Sequence, residues 1–428
     1  MPEIVFSQKH FFRSMNAILL VFFIQAVVWF LVCTTIPYAY MDEYFHVNQY
    51  LSFNRWIRDG VDFYWDPAIT TFPGLYLVSL VPGLPLTFDL DTPSGHIVSI
   101  LRGINAFIIF PAIFFVVYRL CNKSVSTAMI VCSMPFNWFY ANLYYTDSVS
   151  TLFVLMALMF QKEGKLVKSG LIGFLAVLAR QTNIVWIFGL SCLALLGSSK
   201  SSLFHLVKSL WVQILLGSFF VIFLKWNRGS VVLGHHEHHS VSLHWAQLNY
   251  LVLTVLGVAW PMLLTSLRNQ KLAKMKFIFA FIVSSACAEF GTIIHPFILS
   301  DHRHYTFYLY QRILRHRIVR SVLIPLVVAL VATKIPLTNP FAVTSKSRFA
   351  PYMFWFCVIL TIVPTPLIEF RYFNIPVSLI LIELAKTASR QTRMLTILAA
   401  TVINVVAMYV FLYRPFVSDD WGLSRFMY

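Results

Sequence analysis

The chain has 428 residues, of which 58% are apolar, 40 are Phe and only 12% are charged. A mean hydropathy of +0.73 excludes a soluble globular protein of this size, because its polar residues could not cover so much apolar surface. The net charge of +16 falls in short basic clusters between apolar runs, with no basic face or recognition motif, so membrane lipid is the expected surrounding and no nucleic acid is expected as partner.

Apolar windows of about 18–20 residues recur along the chain, each long enough to cross a bilayer core. In lipid such segments must be helices, and the short alternating segments of a β-barrel are absent. The first span is predicted over 15–36, an uncleaved signal anchor preceded by Lys9, His10 and Arg13. That places residues 37 to about 96 on the far side of the membrane as one long loop. It is aromatic and holds one apolar piece, 74–86, broken by Pro82, Gly83 and Pro85 and read as re-entrant or interfacial. Further helices are predicted near 97–118, 125–141, 149–160, 170–197, 203–224, 248–267, 277–294, 297–311, 318–333, 350–367, 374–386 and 394–413.

Basic connectors mark the cytoplasmic turns: Arg119/Lys123, Lys162/Lys165/Lys168, Lys200, Arg268/Lys271/Lys274/Lys276, Arg312/Arg315/Arg317/Arg320 and Lys386/Arg390/Arg393. Lys334, Lys346 and Arg348 also look cytoplasmic, so the 318–350 region does not alternate cleanly. The 170–197 stretch carries Arg180-Gln-Thr-Asn183 at its middle and reads as a broken pair. The expected architecture is an all-α polytopic membrane protein of about 11–13 transmembrane helices, one membrane-embedded domain over the whole chain. The six cysteines are scattered, without metal or redox spacing, and read as free thiols. A sequon, Asn122-Lys-Ser124, falls on the predicted cytoplasmic side.

The chemistry-bearing residues collect on the opposite side. Asp42 and Glu43 follow the first span in a chain short of acids. A carboxylate that accepts the proton of a sugar hydroxyl is one use for such a pair, and placement matters more than basicity. Successive helical residues point about 100° apart, so one carboxylate faces a given reacting atom and the other orients, pairs or binds. Arg303, Arg371 and Arg180 could hold an anionic leaving group. His46, His244, His304, Tyr305, Glu369 and Tyr372 share these strings, and Asp147 reads as a helix N-cap. Ionisable groups at membrane depth are costly, and their clustering implies one polar cavity. Gly234-His-His-Glu-His-His239 reads as a polar loop rather than a metal site, because consecutive residues cannot converge on one ion.

Taken together, Tyr40-Met-Asp-Glu-Tyr-Phe-His46 with Gln49, Trp65-Asp-Pro67, Thr70-Thr-Phe-Pro-Gly-Leu-Tyr76, Leu101-Arg-Gly-Ile-Asn105, Tyr145-Thr-Asp147, Arg180-Gln-Thr-Asn183, Ser242-Leu-His244, His295-Pro296, Asp301 with Arg303-His-Tyr-Thr-Phe-Tyr308, and Glu369-Phe-Arg-Tyr-Phe373 resemble, in order and over nearly the whole chain, the dolichyl-phosphoglucose-dependent α-1,2-glucosyltransferases of N-glycosylation. The resemblance implies a GT-C type fold in the endoplasmic reticulum membrane with a luminal active site, residues 37–96 as the long first luminal loop, and no metal or other cofactor. It implies inverting transfer of glucose from dolichyl phosphate glucose to a diglucosylated dolichyl-diphosphate oligosaccharide. Asp42 would be the base and Glu43 its neighbour. His302 departs from the family's usual asparagine, and the 235–239 loop is differently charged. The alternatives are a related dolichyl-phosphate-mannose-dependent mannosyltransferase, or a lipid or solute transporter; no inverted repeat supports the latter.

Overall fold

The computed structural model describes residues 2–87, 92–197, 207–234, 241–269, 273–333, 341 and 348–428. The predicted polar loop at 235–239 lies outside them, as do Lys200, Lys271, Lys334 and Lys346. The described chain is mostly helical. Gly95–Leu120, Gln247–Thr265 and Arg390–Tyr413 are long and apolar enough to span a membrane, and seven shorter apolar helices accompany them. These helices and the composition make this a membrane protein.

Local chemistry sets the helix limits. Ser124 and Ser389 cap their helices by accepting the N–H of Thr127 and Thr392 at 3.4 and 3.1 Å. The helices Thr146–Lys162 and Leu166–Ala179 form a hairpin, closed where Gly164 takes the left-handed conformation (φ +72°) that a Cβ would penalise. In lipid, apolar burial does not by itself drive helices together, so close contacts and polar links carry the packing. Ser169 donates to the Ala157 carbonyl at 2.9 Å, and Asn183 donates to Ser150 at 2.8 Å and to the Ala176 carbonyl at 2.7 Å.

The predicted break at 180–182 is present, between Leu166–Ala179 and Asn183–Gly197. The predicted 125–141 helix is divided in two, ending at Cys132 and restarting at Pro135. A larger departure concerns 297–311, predicted as one span. It is two five-residue helices, Pro296–Ser300 and Tyr305–Leu309, followed by a π turn over Tyr310–Leu314. Asp301 causes the break: its carboxylate takes the backbone N–H of Arg303 at 3.0 Å, in competition with helical bonding.

That break corrects the side assigned to Arg312–Arg320. Arg317 pairs with Glu289 at 2.5 Å, and Glu289 stands next to the end of the Lys274–Phe290 helix. Gly291, just beyond, accepts the N–H of Ala246 at 3.1 Å, close to the start of the Gln247–Asn269 helix. The basic stretch therefore shares its end of the bundle with the polar clusters.

The last residues form an unpredicted antiparallel hairpin, Phe416–Ser418 with Gly422–Ser424. The tail behind it runs back into the bundle. Arg425 caps the Arg390–Tyr413 helix, donating to the Phe411 and Leu412 carbonyls at 2.9 and 2.6 Å.

Candidate active site

A cavity of about 700 Å³ opens at the end where the polar strings meet. Asp42, His46, Arg180, Arg303, His304, Glu369, Arg371 and Tyr372 all line it. Glu43, His244 and Tyr305 do not.

The acidic pair is divided by the backbone. Met41 takes a left-handed conformation (φ +54°), a costly one for an unbranched long side chain that the surroundings must enforce. Asp42 then occupies the N-cap position of the Glu43–Asp59 helix, yet its side chain makes no capping bond. Its carboxylate, 43% exposed, meets Arg371 Nη1 at 3.0 Å. Its backbone N–H donates to the Tyr145 hydroxyl at 3.2 Å. Burial alone would raise the Asp42 carboxyl; Arg371, with smaller contributions from His46 and His304, outweighs this and holds it below the usual carboxylate range.

Glu43 points the other way and is fully buried. Arg102 grips it with Nε at 2.9 Å and Nη2 at 2.6 Å. The backbone N–H groups of Tyr40 and Tyr144 complete its shell at 3.0 and 2.7 Å. Arg102 also donates to the Ile36 and Tyr38 carbonyls at 2.6 and 3.0 Å. One guanidinium thus ties the first helix end, the loop and the second helix together. Arg102 appeared in the sequence only inside a motif; nothing local announces its partner 59 positions away.

Arg371 sits between Asp42 and Glu369, which also binds its Nε. The rings of Tyr145 and Tyr372 both lie 5.9 Å from its guanidinium. Arg180, in the extended break between two helices, lies 3.1 Å from Asp147 and donates to Thr146 at 3.2 Å. Asp147 was expected as an N-cap; Tyr145 takes that position two residues earlier, and the buried carboxylate faces Arg180 instead. Gly74 lets its helix start against the backbone of Leu178 and Ala179, where a Cβ would collide, and so fixes the approach to Arg180.

Arg303 is held by both oxygens of Asp301, at 2.8 Å each, and its guanidinium lies 4.1 Å from the Trp421 ring. The C-terminal tail braces this corner. Met427 accepts from Tyr305 N–H at 3.0 Å and donates to the Arg303 carbonyl at 2.8 Å. Trp421 is a cavity residue that sequence reasoning missed. Tyr305 packs outside the cavity against Phe426 and Tyr428.

His46 Nδ1 lies 2.8 Å from the Tyr76 hydroxyl, and burial pushes its imidazole down to about 4. It is a neutral wall residue beside Asp42. His244 is fully buried behind the cavity, with Nδ1 3.1 Å from the Pro366 carbonyl, and burial likewise lowers it to about 4. The unfolded chain takes up this proton below pH 6.5 and the folded one only near 4, so folding loses stability as pH falls through that window. Melting temperature should therefore fall between pH 6.5 and 4, and His244→Gln should lessen that dependence, leaving the share that His46 contributes. An unchanged pH slope in the variant would show that His244 is not a titrating group.

The DIE2/ALG10 family model matches residues 36–202 and 190–384. Curated relatives are named Dol-P-Glc:Glc(2)Man(9)GlcNAc(2)-PP-Dol alpha-1,2-glucosyltransferase. The Arabidopsis thaliana protein is 29% identical, over 92% of this chain and 95% of its own length. The Homo sapiens protein is 29% identical, over 91% and 93%. That of Candida glabrata is 28% identical, over 80% and 74%. No solved structure matches significantly.

Proposed function

The chain belongs to the DIE2/ALG10 family, and from that premise we propose that it transfers glucose from dolichyl phosphate glucose to the terminal glucose of a diglucosylated dolichyl-diphosphate oligosaccharide, forming an α-1,2 linkage. The relatives' shared name supports the substrates. The carrying observation is Asp42: an ionised carboxylate, free of capping duty, facing a cavity that holds three arginines. We assign the reaction to the luminal face of the endoplasmic reticulum membrane and the architecture to the GT-C type, with residues 37–96 as roof of the cavity. The many apolar helices and the polar cavity at one end support that assignment.

In this reading Asp42 accepts the proton of the acceptor hydroxyl as its oxygen attacks the anomeric carbon. The carbon–oxygen bond to phosphate breaks, and the lipid phosphate leaves with the electron pair. A β-linked donor gives an α product, so attack and departure occupy opposite faces of the sugar, without a covalent intermediate. The cation bonded to the base therefore stands on the acceptor's side. Arg371 keeps Asp42 ionised and placed, while Arg303, which lines the same cavity and is bonded to Asp301 rather than to Asp42, takes the leaving phosphate.

Arg303→Ala should then lower kcat by a factor equivalent to about 2–4 kcal/mol, as loss of one fixed charge-stabilising donor does in a dry site. An unaltered kcat would return Arg303 to an interfacial residue paired with Asp301. The function itself is tested with purified protein, dolichyl phosphate glucose and the diglucosylated acceptor. Transfer only from the mannose carrier, or lipid movement without transfer, would replace the proposal.

A further inference from the structure

The stretch Arg312 to Arg320 is a basic surface at the cavity end of the bundle, yet none of its residues lines the cavity. Other basic clusters gather at the far end: Lys162 donates to the Leu120 carbonyl at 2.6 Å, and Arg119 and Lys165 share Glu163 at 2.5 and 2.6 Å. At the cavity end, Arg312, Arg315 and His316 are exposed, and Arg317 keeps 77% of its side chain exposed despite its bond to Glu289. Among the described residues, Arg312 and Arg315 form no ion pair. Aliphatic side chains alternate with these cations and are exposed too, Ile313 at 42%, Ile318 at 71% and Val322 at 45%. Cations interleaved with exposed aliphatics belong at the boundary between water and lipid, where they meet phosphate groups carried on lipids.

We propose that this patch holds the diphosphate of the lipid-linked acceptor. The inference rests on the glucosyl-transfer reading and adds a site to it. The donor's phosphate is bonded to the reacting carbon, so it must enter the cavity. The acceptor's diphosphate lies at the opposite end of its glycan from the reacting hydroxyl. Its anchor must stay outside the cavity, at the membrane surface, on the same side as Asp42. The 312–320 patch meets all three conditions. The Tyr305–Leu309 helix joins it in the chain to His304 of the cavity wall, and Arg317 meets Glu289 at the same end of the bundle. Two adjacent phosphates suit two unpaired arginines, whose forked donors favour bidentate contact.

The test uses the double variant Arg312→Gln/Arg315→Gln in nanodiscs of neutral lipid. Loss of two charge-assisted contacts to the diphosphate should raise the acceptor KM roughly tenfold or more. The kcat and the donor KM should stay at wild-type values, and Arg312→Lys/Arg315→Lys should largely restore the acceptor KM. In direct binding, wild-type protein should prefer dolichyl diphosphate over dolichyl phosphate, and the Gln variant should lose that preference. An unchanged acceptor KM overturns the proposal, and so does a rise in the donor KM. A defect that appears only in bilayers containing anionic phospholipid would assign the patch to the bilayer's own phosphates, which also overturns it. If wild-type protein transfers no glucose, the functional reading fails, while the binding comparison still decides the patch.

Discussion

Asp42→Asn should lower kcat by roughly 10²–10⁴-fold, the range a positioned general base supplies. The substitution keeps shape and removes only the proton-accepting charge. Arg371 retains Glu369 as a partner, so the site need not collapse. A merely structural Asp42 would give a different pattern: altered KM or melting temperature, with kcat near wild type. The pH profile sharpens the distinction. As the proposed base Asp42 works in its charged form, and its carboxyl is held below the ordinary 3.8. Activity should therefore stay flat on acidification until pH falls through that depressed value. Arg371→Gln withdraws the cation that favours the carboxylate, so Asp42 should protonate more easily and the acid limb should move to higher pH. A limb unmoved by Arg371→Gln would separate Arg371 from the base and shift attention to another acid in the cavity.

Much of this site was legible because its chemistry departs from its surroundings. In a chain with 17 acids among 428 residues, Asp42 and Glu369 stand out without any structure. Arg180 marked a helix break because a guanidinium and three polar neighbours cannot lie in an apolar run at no cost. What failed was whatever needed a distant partner or a shorter window. Averaged over about 18 residues, the apolar flanks of 297–311 hide Asp301 and Arg303, so the segment reads as a span. Its misreading then carried Arg312–Arg320 to the wrong end of the bundle. The tail is a similar case: nothing in Trp421 or Met427 indicates that they meet Arg303, more than a hundred positions earlier. Glu43 shows the same limit from the other side. Sequence reasoning could say that two adjacent helical carboxylates diverge, but only the contact with Arg102 shows which one is buried.

Arg102→Ala should cost about 3–5 kcal/mol of stability, because it leaves the Glu43 carboxylate buried without its counter-charge. The two backbone N–H groups on Glu43 remain, and they cannot neutralise it. The Ile36 and Tyr38 carbonyls lose their donor in the same step. Those bonds hold the loop that keeps Met41 left-handed and Asp42 facing the cavity, so kcat should fall together with melting temperature. The two effects can be pulled apart. Replacing both charges, as Glu43→Leu with Arg102→Leu, removes the stranded carboxylate and should recover much of the thermal stability, as apolar replacement of buried pairs often does. It cannot recover the bonds to Ile36 and Tyr38, so turnover should remain low. Detergent-solubilised protein followed by thermal melting and by glucosyl transfer measures both. Full turnover in the apolar double variant would show that Arg102 serves only to neutralise Glu43. Low turnover at restored stability assigns it the placement of the base.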